Sequence, residues 1–165
     1  MPAPVIRTYR RPDADAIVKL FHAAVHAVAD ADYGAAERAA WAPRTPAAES
    51  WHQRMMTRRT LVLEEAGIVV AFAELEPDGN IDMFYCRPDR QRRGFGTRLY
   101  AALEAAARGA GMTRLTVAAS RPGRRFFERQ GFGTEGQQSV VRDGIALANF
   151  RMEKRLDGAR ESTGA

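Results

Sequence analysis

The sequence predicts one mixed α/β (α+β) domain, a mostly antiparallel twisted sheet of about seven strands flanked by four to five helices. Three observations carry this. Apolar residues recur at helical spacing near the start, switch to β-branched runs in the middle, and return to helical spacing after Gly94. Turn dipeptides separate the middle runs. The 165 residues, 45% of them hydrophobic, can bury one core but not those of two ordinary domains.

Taken in order, Val5 to Tyr9 reads as a first strand, and Pro12 and Asp13 open a helix. The stripe Ile17, Leu20, Phe21, Ala24, Val25 and Val28 makes that helix amphipathic. From Tyr33 to Thr57 the pattern weakens, with Pro43 and Pro46 interrupting two short helices, Gly34 to Trp41 and Pro46 to Met56. Three strands follow, Thr60 to Ala66, Ile68 to Pro77 and Asn80 to Pro88, broken by Ala66-Gly67 and Asp78-Gly79-Asn80 and expected to run antiparallel. A helix from Gly94 to about Arg108 sets Leu99, Leu103 and Ala107 on one face and closes at Gly109 and Gly111. Arg114 to Ala119 is a fifth strand, Gly123 to Gly131 a short helix, and the chain then forms a hairpin turning at Asp143-Gly144. The domain is expected to span 1–156, and Asp157 onward, small and polar, reads as a frayed tail.

The formal charge of +5 suits an anionic ligand as readily as nucleic acid. Only Lys19 and Lys154 are lysines, so arginine supplies nearly all the positive charge. A nucleic-acid binder would need aromatics interleaved with the basic run and a recognition helix, neither of which is evident, so no nucleic-acid partner is expected. Cys86 is a single cysteine without a disulfide partner, and no apolar run is long enough for a membrane span. A cytoplasmic protein with no membrane partner is expected. His22 and His26 stand four apart on the first helix, but no third ligand is evident, so no metal is expected. They are read as substrate-cleft or surface residues, and Tyr33 and Trp41 as further residues of the substrate cleft, with core packing the alternative for Trp41.

The most informative stretch is Gln91-Arg92-Arg93-Gly94-Phe95-Gly96-Thr97, a strand-to-helix junction. The first amides of a helix lack intrahelical acceptors, the helix dipole puts partial positive charge there, and the glycines leave room for a diphosphate. A dinucleotide fingerprint would need a third glycine and a parallel strand before it, and a Walker loop would need Gly-Lys-Ser/Thr.

With the apolar strand before it, Gln91-x-x-Gly94-x-Gly96 resembles the signature of the GNAT superfamily of acyl-CoA-dependent N-acyltransferases. The resemblance extends over Arg114 to Phe132 and to the strand around Asn149-Phe150-Arg151-Met152, and the segment Ala24 to Pro43 is similar to a bacterial branch of undefined substrate. It implies acetyl-CoA as cosubstrate and a primary amine of a small molecule or peptide as acceptor, acetylated by direct attack in a monomer or homodimer. It also implies that the amides of Arg92 to Thr97 hold the diphosphate, and that Phe84 and Cys86 pair with the pantetheine arm as an added strand would. Gln91, Arg92, Arg93, Gly94, Phe95, Gly96, Thr97, Phe84, Tyr85, Cys86, Arg121 and Phe127 then form the expected cofactor site, with Arg87 and Arg90 as further phosphate contacts.

For the chemistry, Asp82 matches the strand position where relatives carry a glutamate base, and a period of two puts it on the face of Phe84 and Cys86. Glu74 on the preceding strand is the competing base. The tyrosine that often protonates the departing thiolate is replaced by Phe127, and the family's asparagine after the fifth strand by Arg121-Pro122. Tyr85, Tyr33 and Tyr100 are the remaining acid candidates, Tyr100 more as helix packing. A non-catalytic acyl-CoA-binding module is the competing reading.

Overall fold

The computed structural model describes residues 3–156, so the tail expected from Asp157 lies outside the described residues. A seven-stranded sheet carries five α-helices on its two faces. In chain order the elements are β1 (Val5–Thr8), α1 (Ala14–His26), α2 (Ala35–Trp41), α3 (Ala48–Met55), β2 (Arg59–Glu65), β3 (Ile68–Leu75), β4 (Asn80–Cys86), α4 (Phe95–Gly109), β5 (Arg114–Ala119), α5 (Arg121–Arg129), β6 (Gly133–Arg142) and β7 (Ile145–Arg155). The strands lie in the order β1-β2-β3-β4-β5-β7-β6.

The expected turns form for the expected reason. Ala66 and Gly67 (φ 52° and 81°) and Asp143 and Gly144 (φ 49° and 75°) each place two successive residues at positive φ, which matches the right-handed twist of a tight hairpin. Gly79 is obligatory for a different reason: a Cβ there would lie 2.3 Å from the Arg114 carbonyl oxygen. That close approach lets the Gly79 carbonyl accept from the Thr116 amide, and it starts β4 beside β5.

Every strand pair is antiparallel except β4 with β5, which run parallel and are in register only at Asn80–Thr116 and Ile81–Val117. Beyond Ile81 the two strands part. The Arg87 amide donates to the Val70 carbonyl at 2.8 Å, so by alternation along the strand the backbone groups of Phe84 and Cys86 point the other way, into the gap beside β5.

Two apolar clusters cover the sheet. On one face Leu99, Leu103, Leu115 and Phe127, all nearly or fully buried, seat α4 and α5; on the other, Ile17, Phe21, Val25 and Met55 pack α1 and α3 against Val62 and Phe72. Each buried leucine of α4 contributes about 1.5–3 kcal/mol, which fixes the helix and therefore the position of its first turn.

One expectation about the sheet is corrected. Glu74 faces Met83 but Leu75 faces Ile81, so Asp82 is an extra residue in β4, a β-bulge. The bulge breaks the period of two: Phe84 and Cys86 pack toward α4, whereas Asp82, like Met83 and Tyr85, turns toward the face of α1 and α3.

Candidate active site

The first turn of α4 has the features an anion site needs. Its N-cap, Gly94, sits at φ 77°, no side chain caps the helix, and no acidic residue occupies the first turn. A Cβ at Gly94 would meet nothing within 4 Å, whereas one at Gly96 would come within 3.2 Å of the Phe126 ring. The turn is therefore open at Gly94 and closely backed at Gly96. Gln91, Arg92, Arg93 and Thr97 are exposed around it, while Phe95 is buried as the helix's first anchor. The arginines divide. Arg87 pairs with Asp89 at 2.7 Å and Arg90 with Glu65 at 3.0 Å, whereas Arg93 comes no closer than 3.9 Å to Glu65 and Arg92 has no ion-pair partner among the described residues.

The gap between β4 and β5 lies next to this turn in the chain, and the rings beneath it are densely packed. Phe84 meets Phe126 and Phe127 at centroid distances of 5.1 and 5.5 Å, and Phe127 meets Phe132 at 5.1 Å. Phe127 is thus a buried prop for β4. Tyr100 is also buried, donating its hydroxyl hydrogen to Glu104 at 2.7 Å, in keeping with helix packing. Burial pushes the Cys86 thiol up to about 11.

On the opposite face a cavity of about 720 Å³ opens between α1–α3, β4 and the β6–β7 hairpin. Of the residues expected in a substrate cleft, Tyr33 and Trp41 line it and His22 and His26 do not. The two histidine rings lie tilted against each other with centroids 4.4 Å apart, and His26 Nε2 bonds the Ala42 carbonyl at 2.6 Å, tying α1 to the end of α2. Among the described residues no group of three metal-binding side chains occurs. Tyr33 is locked rather than free: its hydroxyl donates to the Ala148 carbonyl at 2.7 Å and accepts from the Arg121 amide at 3.0 Å. The Arg121 guanidinium lies 4.9 Å over the Tyr33 ring and bonds the Asp32 carbonyl, so this side chain is engaged in the same clamp. Tyr85 joins an aromatic wall with Phe21, Trp41 and Phe72, and burial pushes its phenol well above the ordinary value.

Asp82 lines the cavity; Glu74 does not. Glu74 is fully buried and held by Arg54 at 3.1 Å and Arg58 at 3.3 Å, and Arg58 also bonds Asp82. An ion chain thus runs Arg54–Glu74–Arg58–Asp82. Burial raises the Glu74 carboxyl above its ordinary value, outweighing the pull of Arg54. The sequence reading missed Arg54, Arg58, Arg142 and Asn149. Arg54 and Asn149 line the cavity, and Arg54 Nε and Asn149 Oδ1 are buried with no hydrogen-bond partner. No spacing rule marks them, because α3 and β7 bring them together from distant parts of the chain.

A family model described as an acetyltransferase (GNAT) domain matches residues 29–155. The chain is 30% identical over 154 residues to the protein described as uncharacterized N-acetyltransferase YafP of Escherichia coli (strain K12), covering 89% of this chain and 93% of that one. A solved GCN5-related N-acetyltransferase from Rhodopseudomonas palustris superposes with a TM-score of 0.87 at 33% identity, over 94% of this chain and 98% of that one. The structure of yncA, a putative acetyltransferase from Salmonella typhimurium with its cofactor acetyl-CoA, superposes with a TM-score of 0.72 at 23% identity, over 94% and 95% of the two chains, a likeness of fold.

Proposed function

This chain belongs to the GNAT acetyltransferase family, and from that premise we propose that it transfers the acetyl group of acetyl-CoA directly to the primary amine of a small molecule or peptide. The observation that carries this reading is the uncapped first turn of α4 beside the unpaired edge of β4. That edge lies on the same strand as Asp82, which lines the cavity. When bound, acetyl-CoA would supply an acetyl group activated as a thioester. The amides of Arg92 to Thr97 would hold its diphosphate, with Arg92 and Arg93 adding charge. The backbone of Phe84 and Cys86 would pair with its arm and offer an N–H to the acyl oxygen.

Asp82 takes the proton of the incoming amine. An alkyl ammonium with pKa about 10 is only about one part in a thousand neutral at pH 7, so a carboxylate on the cavity wall has a proton to remove. Arg58 fixes its orientation, and Glu74, sealed behind, positions Arg54 and Arg58. Cys86 is a poor nucleophile: with its thiol pushed up to about 11, only about one part in ten thousand is thiolate at pH 7, which favours a ternary complex over an acyl-cysteine. With Tyr33 and Tyr100 engaged elsewhere and Phe127 unable to donate, Tyr85, protonated and on the cavity wall, is the side chain assigned to return a proton.

Phe127 in place of the family's tyrosine favours the second reading, a module that binds acyl-CoA without turnover. Release of free thiol separates the two: the enzyme releases it at a rate that rises with amine concentration, and a binding module shows no acceptor-dependent release.

A further inference from the structure

The charges around the cavity are unequal. Three arginines line it, Arg44, Arg54 and Arg142, against one carboxylate, Asp82. They come from separate segments, the α2–α3 connection, α3 and the end of β6, and converge on one space. Arg44 and Arg142 are exposed and have no ion-pair partner among the described residues.

Arg54 is built in rather than draped over the rim. Its guanidinium stacks 4.3 Å from the Trp51 ring and bonds Glu74 at 3.1 Å, which fixes its plane. Its Nε is buried and donates to nothing in the protein. The side chain is still 28% exposed and lines the cavity, so the open part of this fixed cationic group can meet an oxygen acceptor from outside the chain. On the β7 wall, the buried Asn149 Oδ1 lacks a donor in the same way. A ligand matched to this lining would present an anionic oxygen to the arginines and an N–H toward Asp82.

We propose that the acceptor is an amine bearing an anionic group, an amino acid carboxylate in its simplest form. Arg54, with Arg44 and Arg142, receives that group, and Asp82 faces the amine. This rests on the transferase reading of the same site. Charge-assisted pairing with a carboxylate favours such a ligand over its neutral amide, and a polycation would meet three like charges.

The test compares amino acids with their carboxamides, and with spermidine, as acceptors in a thiol-release assay, alongside calorimetric titration of acetyl-CoA. Wild type is expected to favour the carboxylate at least tenfold in kcat/KM. In the Arg44→Gln, Arg142→Gln double variant, whose exposed sites leave the fold intact, that preference is expected to fall below threefold with acetyl-CoA affinity unchanged. Arg54→Lys, which keeps the charge but loses the planar guanidinium fork, should raise KM for the carboxylate acceptor more than it lowers kcat. Equal use of the carboxamide, preference for spermidine, an undiminished preference in the double variant, or lost acetyl-CoA affinity in that variant would each overturn the assignment. Bound acetyl-CoA with no carboxylate-bearing amine acetylated would overturn it too, leaving the cofactor site standing. Failure of wild type to bind acetyl-CoA would instead sink the transferase reading itself.

Discussion

The two sides of β4 are built on different principles. Toward α4 the proposed cofactor site is made of backbone, the amides of a helix turn and the unpaired edge of a strand, with glycine where a side chain would intrude. Toward α1–α3 it is made of side chains, Asp82, Arg54, Tyr85, Trp41 and Asn149, drawn from four segments and held by an ion chain. A backbone site suits an invariant part of a cosubstrate. A site of side chains can be respecified by substitution alone, without altering the sheet.

If this division holds, substitutions on one side should leave the other intact. Asp82→Asn should give the largest effect, lowering kcat/KM by about a hundredfold or more, the scale of general base catalysis, without changing acetyl-CoA affinity by calorimetry. Weakened cofactor binding there would erase the separation. Cys86 probes the other side. With its thiol raised from 9.0 to about 11, alkylation at pH 8 should be about a hundredfold slower than for an ordinary cysteine and accelerate until the pH nears 11, as followed by mass spectrometry. Tyr85→Phe should lower kcat about tenfold with KM for acetyl-CoA unchanged; full activity would assign the proton return to solvent. The smallest effect is expected from Tyr33→Phe. Losing a hydroxyl that bridges Ala148 and Arg121 should reduce stability by about 1 kcal/mol in urea unfolding, leaving acetyl-CoA binding unaltered.

The same division explains what the sequence could tell. Gly94 and Gly96 were legible because backbone chemistry demands particular residues at fixed spacing, and Ala66-Gly67 and Asp143-Gly144 because tight hairpins demand positive φ. The seven strands and five helices followed from periodicity. The face of Asp82 was not legible, since one inserted residue, seen only in the β3–β4 register, reverses a period-of-two argument. Nor was the different placement of the two candidate bases, Asp82 and Glu74, which depends on burial: one carboxylate lines the cavity and the other is sealed behind two arginines. His22 and His26, read as cleft residues, do not line the cavity; His26 instead ties α1 to the end of α2. Arg54 and Asn149 carry no local signal, because their meaning arises only where α3 and β7 approach the same space.

In the proposed function the open turn of α4 binds the cosubstrate through its backbone. Calorimetric titration with acetyl-CoA of wild type and of a Gly94→Glu, Gly96→Glu double variant, with circular dichroism to verify folding, tests it most directly. Two carboxylates placed at the amides should oppose the diphosphate, and any side chain introduced at Gly96 would also crowd Phe126. The account predicts binding by wild type and a loss of at least a hundredfold in affinity in the folded variant. Equal binding by both proteins, or none by wild type, would contradict it.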